Sequence, residues 1–177
     1  FKAVNTLELI KAGISLREIE DATISSVEIK PLPQKLLDKL EQKEMEPRFP
    51  FPEERLIQID AYNAWIENNK QGIFAMATGS GKTVTALNCL RRQYFENNFY
   101  KAIIVVPTQA LALQWEKEAD AFNFQNIVST YTNKEWKSIL SRYTTTSLFN
   151  PNQSIIVITT YNTFNRQYIQ TFVKHTR

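Results

Sequence analysis

Met76-Ala-Thr-Gly-Ser-Gly-Lys-Thr83 is the stretch that decides the fold. A short apolar run, residues 73–77, precedes it, and an amphipathic run, residues 83–97, follows it. Strand, glycine-rich turn and helix form the context in which a G-x-G-K-T string becomes an anion cradle. Gly79 and Gly81 open backbone angles closed to other residues, so successive N–H groups can converge on one concavity. A helix starting near Lys82 adds about half a positive charge at its N-terminus. In such a cradle Lys82 would reach the β- and γ-phosphates of ATP, and the Thr83 hydroxyl would hold Mg²⁺. Lys82 and Thr83 are the catalytic candidates. Thr78, Gly79, Ser80 and Gly81 complete the nucleotide-binding set. One position departs from the general G-x-x-x-x-G-K-[ST] pattern, because Met76 stands at the first glycine.

Moving outward, short apolar runs alternate with longer amphipathic ones. Strands are expected over residues 73–77, 102–106, 126–131 and 155–159, and helices over 83–97, 110–122, 133–149 and 161–173. Thr132 and Glu135 have capping-box spacing for the third of these helices. Such alternation predicts parallel βαβ units and a three-layer α/β domain. Upstream, Pro52 is placed to open a helix as its first residue. Glu53 and Glu54 would then sit at the positive end of the dipole, and Leu56, Ile59, Tyr62 and Ile66 recur at helical spacing up to Gly72. Pro47, Pro50 and Pro52 lie within six residues and mark a boundary. Before them the chain reads as mainly helical. Ser15 and Glu18 have capping-box spacing, Leu36, Leu37 and Leu40 share a face over residues 35–45, and residues 24–29 alternate like a short strand. The expected organisation is a helical extension over residues 1–48 and an α/β domain over 49–177.

Composition narrows the classes. The chain has 177 residues, 43% of them apolar, enough for an ordinary core. One cysteine, Cys89, excludes a disulfide scaffold, and 4 Gly and 7 Pro exclude a collagen-like chain. His175 is the only histidine, so neither a His-based triad nor a His/Cys zinc cluster is available. No apolar run reaches the ~18 residues that span a bilayer, and Phe1 opens no basic-then-apolar leader, so no membrane association is expected. With the lone thiol, this leads to the expectation of a cytoplasmic protein. The net charge is +3, unevenly spread: residues 121–177 hold six basic residues against one acid, Glu135. With the Thr, Ser and Asn around them, they suit contact with a phosphate backbone.

These motifs resemble superfamily 2 helicases, in the branch of restriction-enzyme and DEAH-type subunits, where a residue other than glycine occurs at the position of Met76. The resemblance spans about residues 53 to 165. Arg55-Leu-Ile-Gln58 is similar to the R-x-x-Q element of that family, which implies that Gln58 reads adenine through its amide. Ile103-Ile-Val-Val-Pro-Thr-Gln109 is similar to motif Ia, which implies nucleic-acid contact at Pro107, Thr108 and Gln109. Ile155-Ile-Val-Ile-Thr-Thr-Tyr161 is similar to motif Ib, which implies the same for Thr160 and Tyr161. Other residues have plainer readings. Trp115 is expected in the core, Cys89 as a small buried residue, and Phe49 and Phe51 packed on the domain.

The resemblance implies a RecA-like ATP-binding domain and an ATP-dependent DNA helicase or translocase of a restriction or phage-defence system. RNA is the alternative polymer, and a nuclease or methyltransferase is an expected companion. A P-loop kinase or transport ATPase would want a glycine at Met76 and has no use for Arg55 and Gln58. A non-catalytic module with a vestigial loop is the remaining alternative. No Asp-Glu pair occurs in the sequence. Such a motor needs one to hold the metal and orient water. The expectation is that a D-E-x-H strand, and a second RecA-like domain with an arginine finger, lie beyond residue 177. These 177 residues would then bind nucleotide with little turnover.

Overall fold

The computed structural model describes Gly13 and residues 34–175. The chain divides into two compact units, Phe1–Glu46 and Pro47–Arg177. In the first, helix α1 (Gln34–Glu44) buries Leu36 and half-buries Leu37, as their spacing predicts. The Ser15/Glu18 cap and the strand over 24–29 lie outside the described residues.

The second unit runs α2 (Leu56–Glu67), α3 (Lys82–Asn97), β1 (Lys101–Val106), α4 (Gln109–Ala121), β2 (Ile127–Ser129), α5 (Trp136–Ser147), β3 (Ile155–Thr160), α6 (Tyr161–Phe164) and α7 (Gln167–His175). The three strands form one sheet in the order β1-β3-β2, and both pairings are parallel. Lys101 to Val106 pair in register with Ile155 to Thr160, and Ile127 to Ser129 with Ile156 to Ile158.

β3 is central because it is apolar on both faces. Ile155 to Thr159 are all buried. Ile156 and Ile158 point to one face, where Leu87 and Leu90 of α3 and Ala112 and Ala119 of α4 pack with Phe122. Ile155 and Val157 point to the other, against Trp136, Leu140 and Tyr143 of α5 and Ile169 and Phe172 of α7. Burying each β3 side chain contributes about 1.5–3 kcal/mol. Helices therefore cover both faces of a parallel sheet. This is the three-layer α/β architecture of a partial RecA-like domain.

Between β1 and β2, the Tyr100 hydroxyl donates to the Gln125 carbonyl and accepts from the Gln125 N–H, both at 2.7 Å. Burial pushes its pKa up to about 12. Trp115 packs half-buried on the first core, and Cys89 is buried. Among the described residues no helix is long and apolar enough to cross a membrane, and no cluster of three metal-ligating side chains occurs.

Several expected boundaries shift. Residues 73–77 form no strand; they have no ladder partner, and Ile73 is 93% exposed. Their N–H groups turn inward instead, Ala75 to the Ile73 carbonyl at 3.0 Å and Met76 to that of Phe74 at 2.9 Å. Helix α2 starts at Leu56, not Pro52, and ends before Gly72, because Asn68 caps it and Asn69 and Lys70 adopt positive φ. Leu56 and Ile66 are exposed, so the expected apolar face is only partly used. The Thr132/Glu135 box does not form. The Thr132 hydroxyl bonds the Glu116 carboxylate of α4 at 3.0 and 3.1 Å, and Glu135 itself is the N-cap residue of α5. β2 is shorter than residues 126–131. The helix expected over 161–173 is two helices. Asn165 closes the first, and Gln170 Nε2 donates to the Phe164 carbonyl freed at the break, at 2.9 Å.

Candidate functional site

The glycine-rich turn shapes itself. Gly79 (φ 77°) and Gly81 (φ 92°) both take positive φ, where a side chain is strained. Ser80 Oγ donates to the Ala77 carbonyl at 2.6 Å, and its N–H reaches the same oxygen at 3.3 Å. Gly81 is the N-cap of α3 and has no side chain to spend on the first turn, so the first N–H groups of the helix keep their donor capacity. The first bond of the helix runs from the Thr85 N–H to the Gly81 carbonyl at 2.8 Å. Thr85 also donates its hydroxyl to that carbonyl at 3.0 Å, which fixes where α3 begins.

Lys82 lies over this turn. Its Nζ donates to the carbonyls of Met76 and Ala77, each at 3.0 Å. The ammonium is thus held at the mouth of the loop by two neutral acceptors, which a polyanion would outcompete. Thr78, Gly79, Gly81, Lys82 and Thr83 share a cleft of about 670 Å³ with Phe51, and with Leu111, Gln114 and Glu118 of α4. That volume lies within the ~300–1,000 Å³ of small-molecule sites.

Gln58 approaches from α2. It is buried at 5% exposure, its Oε1 accepts the Arg55 N–H at 3.0 Å, and its Nε2 is so close to Gly81 that a Cβ there would lie 2.6 Å from it. The R-x-x-Q spacing therefore builds half of an N-terminal capping box and sets an amide behind the turn. Arg55 is exposed as the N-cap. α2 is pinned to α3 by Glu54, whose carboxylate accepts from Arg92 at 2.7 Å and pairs with Arg91 at 4.0 Å. Arg92 also lies 4.3 Å from the Tyr62 ring, and the Tyr62 hydroxyl donates to Glu96 at 3.4 Å. Partial burial, with Glu96 alongside, raises the Tyr62 pKa.

Phe49 and Phe51 differ. Phe49 packs edge-on against Phe122 at 5.7 Å, as expected. Phe51 packs edge-on against Phe49 at 5.8 Å on one side, yet stays 54% exposed and lines the cleft.

The other motif residues gather at the C-terminal ends of the strands. Val106 pairs with Thr160, so Pro107-Thr108 and Thr160-Tyr161 leave the sheet side by side. Thr108 caps α4, its Oγ1 accepting the Leu111 N–H at 3.3 Å, and Gln109 is the exposed first residue of that helix. Thr160 donates its hydroxyl to Thr163 Oγ1 at 3.3 Å, and Tyr161 is 54% exposed.

The family model described as type III restriction enzyme, res subunit, matches residues 51–176. The chain belongs to this family. No curated protein and no solved structure gives a significant match. The matched span of the res-subunit family holds both the glycine-rich turn and the strand-end residues, and it begins at Phe51, at the edge of the cleft.

Proposed function

We propose that the chain is the nucleotide-binding part of an ATP-dependent DNA translocase or helicase of a restriction or phage-defence system. The observation that carries this reading is the turn over Thr78 to Thr83. Two positive-φ glycines, a helix N-terminus without a side-chain cap and a lysine over the mouth all open on one cleft.

ATP fits this donor set. The α3 N-terminus and Lys82 suit the phosphates, and Phe51 offers a ring to the base. Gln58 is assigned to the base through Nε2, since Oε1 is committed to Arg55. Arg55 borders the same end. Thr83 would hold Mg²⁺, which supplies charge neutralisation at the phosphates. Pro107, Thr108, Gln109, Thr160 and Tyr161 are assigned to the DNA backbone. The ends of parallel strands are where α/β sheets take ligands, and the C-terminal third is basic. Membership of a restriction-enzyme family supports DNA over RNA. With no Asp-Glu pair in the sequence, the hydrolytic carboxylates and a second RecA-like domain belong elsewhere in the parent. Residues 49–177 are then the N-terminal part of the motor and residues 1–48 an extension towards an upstream region. A nuclease or methyltransferase partner and a cytoplasmic setting complete the reading.

The test is titration of a fluorescent ATP analogue with Mg²⁺ into this chain and its Lys82→Ala variant, with hydrolysis followed in parallel. Loss of a charge-assisted contact, about 1.5–3 kcal/mol, should weaken binding roughly 10- to 100-fold. Turnover should stay near background. Equal binding by both proteins, or turnover at the rate of an intact motor, would overturn the reading.

A further inference from the structure

The loop after β2 is held more firmly than a connecting loop requires. The Thr130 N–H donates to the Ile158 carbonyl at 2.9 Å, and Thr130 Oγ1 donates to Thr159 Oγ1 at 3.1 Å, so the loop is stitched to the central strand. The N–H groups of Tyr131 and Thr132 both reach Ser129 Oγ, at 3.4 and 3.3 Å, and Thr132 is anchored to Glu116 of α4. Glu135 N–H on Asn133 Oδ1, at 2.9 Å, closes the turn. All this order serves a residue that the core does not use. The Tyr131 ring is 48% exposed, and among the described residues its hydroxyl has no hydrogen-bond partner. Packing cannot explain why the backbone beneath it is fixed at so many points.

The sheet order explains the position. β2 lies beside β3 with Ser129 opposite Ile158, so Thr130-Tyr131 leaves the sheet level with Thr159-Thr160, and on the other side of β3 Val106, just before Pro107-Thr108, lies opposite Thr160. Two strand spacings of about 4.8 Å put the outer pairs roughly 10 Å apart. A stacked nucleic-acid strand advances about 3.4 Å per nucleotide, so this edge spans about three nucleotides. Lys134 follows Tyr131 and Arg166 follows α6, both exposed. Two exposed rings along this edge, Tyr161 and Tyr131, with flanking cations suit single-stranded nucleic acid, whose bases stack on aromatic rings whatever their identity.

We propose that Tyr131 is a base-stacking platform at the β2 end of a single-stranded DNA track across the strand ends. This rests on the DNA reading above and adds a contact to it. The experiment is fluorescence anisotropy of the full chain with a labelled oligothymidylate at low salt, comparing wild type, Tyr131→Ala and Tyr131→Phe. Losing one stacked base should weaken binding about 5- to 100-fold in Tyr131→Ala. Tyr131→Phe should bind like wild type. The dependence of affinity on salt should stay unchanged, because the ring neutralises no phosphate. ATP-analogue binding and the far-ultraviolet spectrum should be the same in all three proteins. Wild-type affinity in Tyr131→Ala overturns the stacking role and leaves the DNA reading standing. Equal losses in Tyr131→Ala and Tyr131→Phe also overturn it, by assigning the contact to the hydroxyl. Failure of the wild type to bind the oligonucleotide removes the DNA reading and this inference together.

Discussion

Replacing Gly81 by alanine tests the contact between the nucleotide turn and α2. At φ 92° an alanine is strained by about 1–2 kcal/mol. Its Cβ would also lie 2.6 Å from Gln58 Nε2, so the buried amide must move. Moving it breaks the 3.0 Å bond to the Arg55 N–H, about 1 kcal/mol, and leaves a displaced polar group that costs about 1 kcal/mol more. Gly81→Ala should therefore cost about 3–4 kcal/mol. Gln58→Ala alone loses the cap bond, about 1 kcal/mol. In the double variant the clash is gone, and only the φ strain and the lost bond remain, about 2–3 kcal/mol. The cycle should show a coupling of about 2 kcal/mol, with the double variant more stable than the sum of singles predicts. Urea unfolding followed by tryptophan emission is the assay. Trp65, Trp115 and Trp136 all lie in the second unit, so the signal reports on that unit. Additivity within about 0.5 kcal/mol would refute the contact and, with it, the view that Gln58 supports the turn from behind.

Three further outcomes follow from buried hydroxyl and thiol groups. Tyr100→Phe should cost about 1–3 kcal/mol in the same assay, because it leaves both polar groups of the Gln125 peptide without the hydroxyl that now serves them. Burial pushes the Cys89 thiol from 9.0 up to about 11 and the Tyr100 hydroxyl from 10.0 up to about 12. The unfolded chain loses these protons first, so their contribution to stability is complete below pH 9 and falls as pH rises through 11 and 12. Iodoacetamide should accordingly leave the folded chain unmodified at pH 8 and label it in urea. Rapid labelling without denaturant would refute the buried thiol.

The parts of this domain that were legible in the sequence are those whose chemistry is local. Residues 78–83 fold as their glycines, serine and lysine dictate, and α3 begins within one residue of its expected start. β1 and β3 were legible because each is a short apolar run without alternation; β3 is buried on both faces, as that pattern predicts, while β1 is only partly buried. The capping of α5 was not legible, because Thr132 answers to Glu116 on another helix. Phe51 was legible only in part: it packs on Phe49 as a Pro-Phe-Pro segment suggests, but its place at the cleft depends on where α4 lies. The break between α6 and α7 depends on Gln170 reaching back to Phe164, a bond that no periodicity encodes.

Residues 73–77 show why the most confident motif can carry the least secure element. An apolar run becomes a parallel strand only when a neighbour supplies its ladder, and among the described residues these have none. Five residues of β3 are buried between two neighbours. In β1, with one neighbour, Lys101 to Val105 stay half-exposed. Residues 73–77, with no neighbouring strand, are the most exposed: Ile73 is almost fully exposed, and the Ala75 and Met76 N–H groups bond within the segment. The turn at 78–83 holds its shape without that strand, since Ser80 and Lys82 close on the carbonyls of Met76 and Ala77. Anion binding is therefore encoded by the turn and the helix start. Strand pairing at residues 73–77 is a separate property, set by whatever runs alongside them.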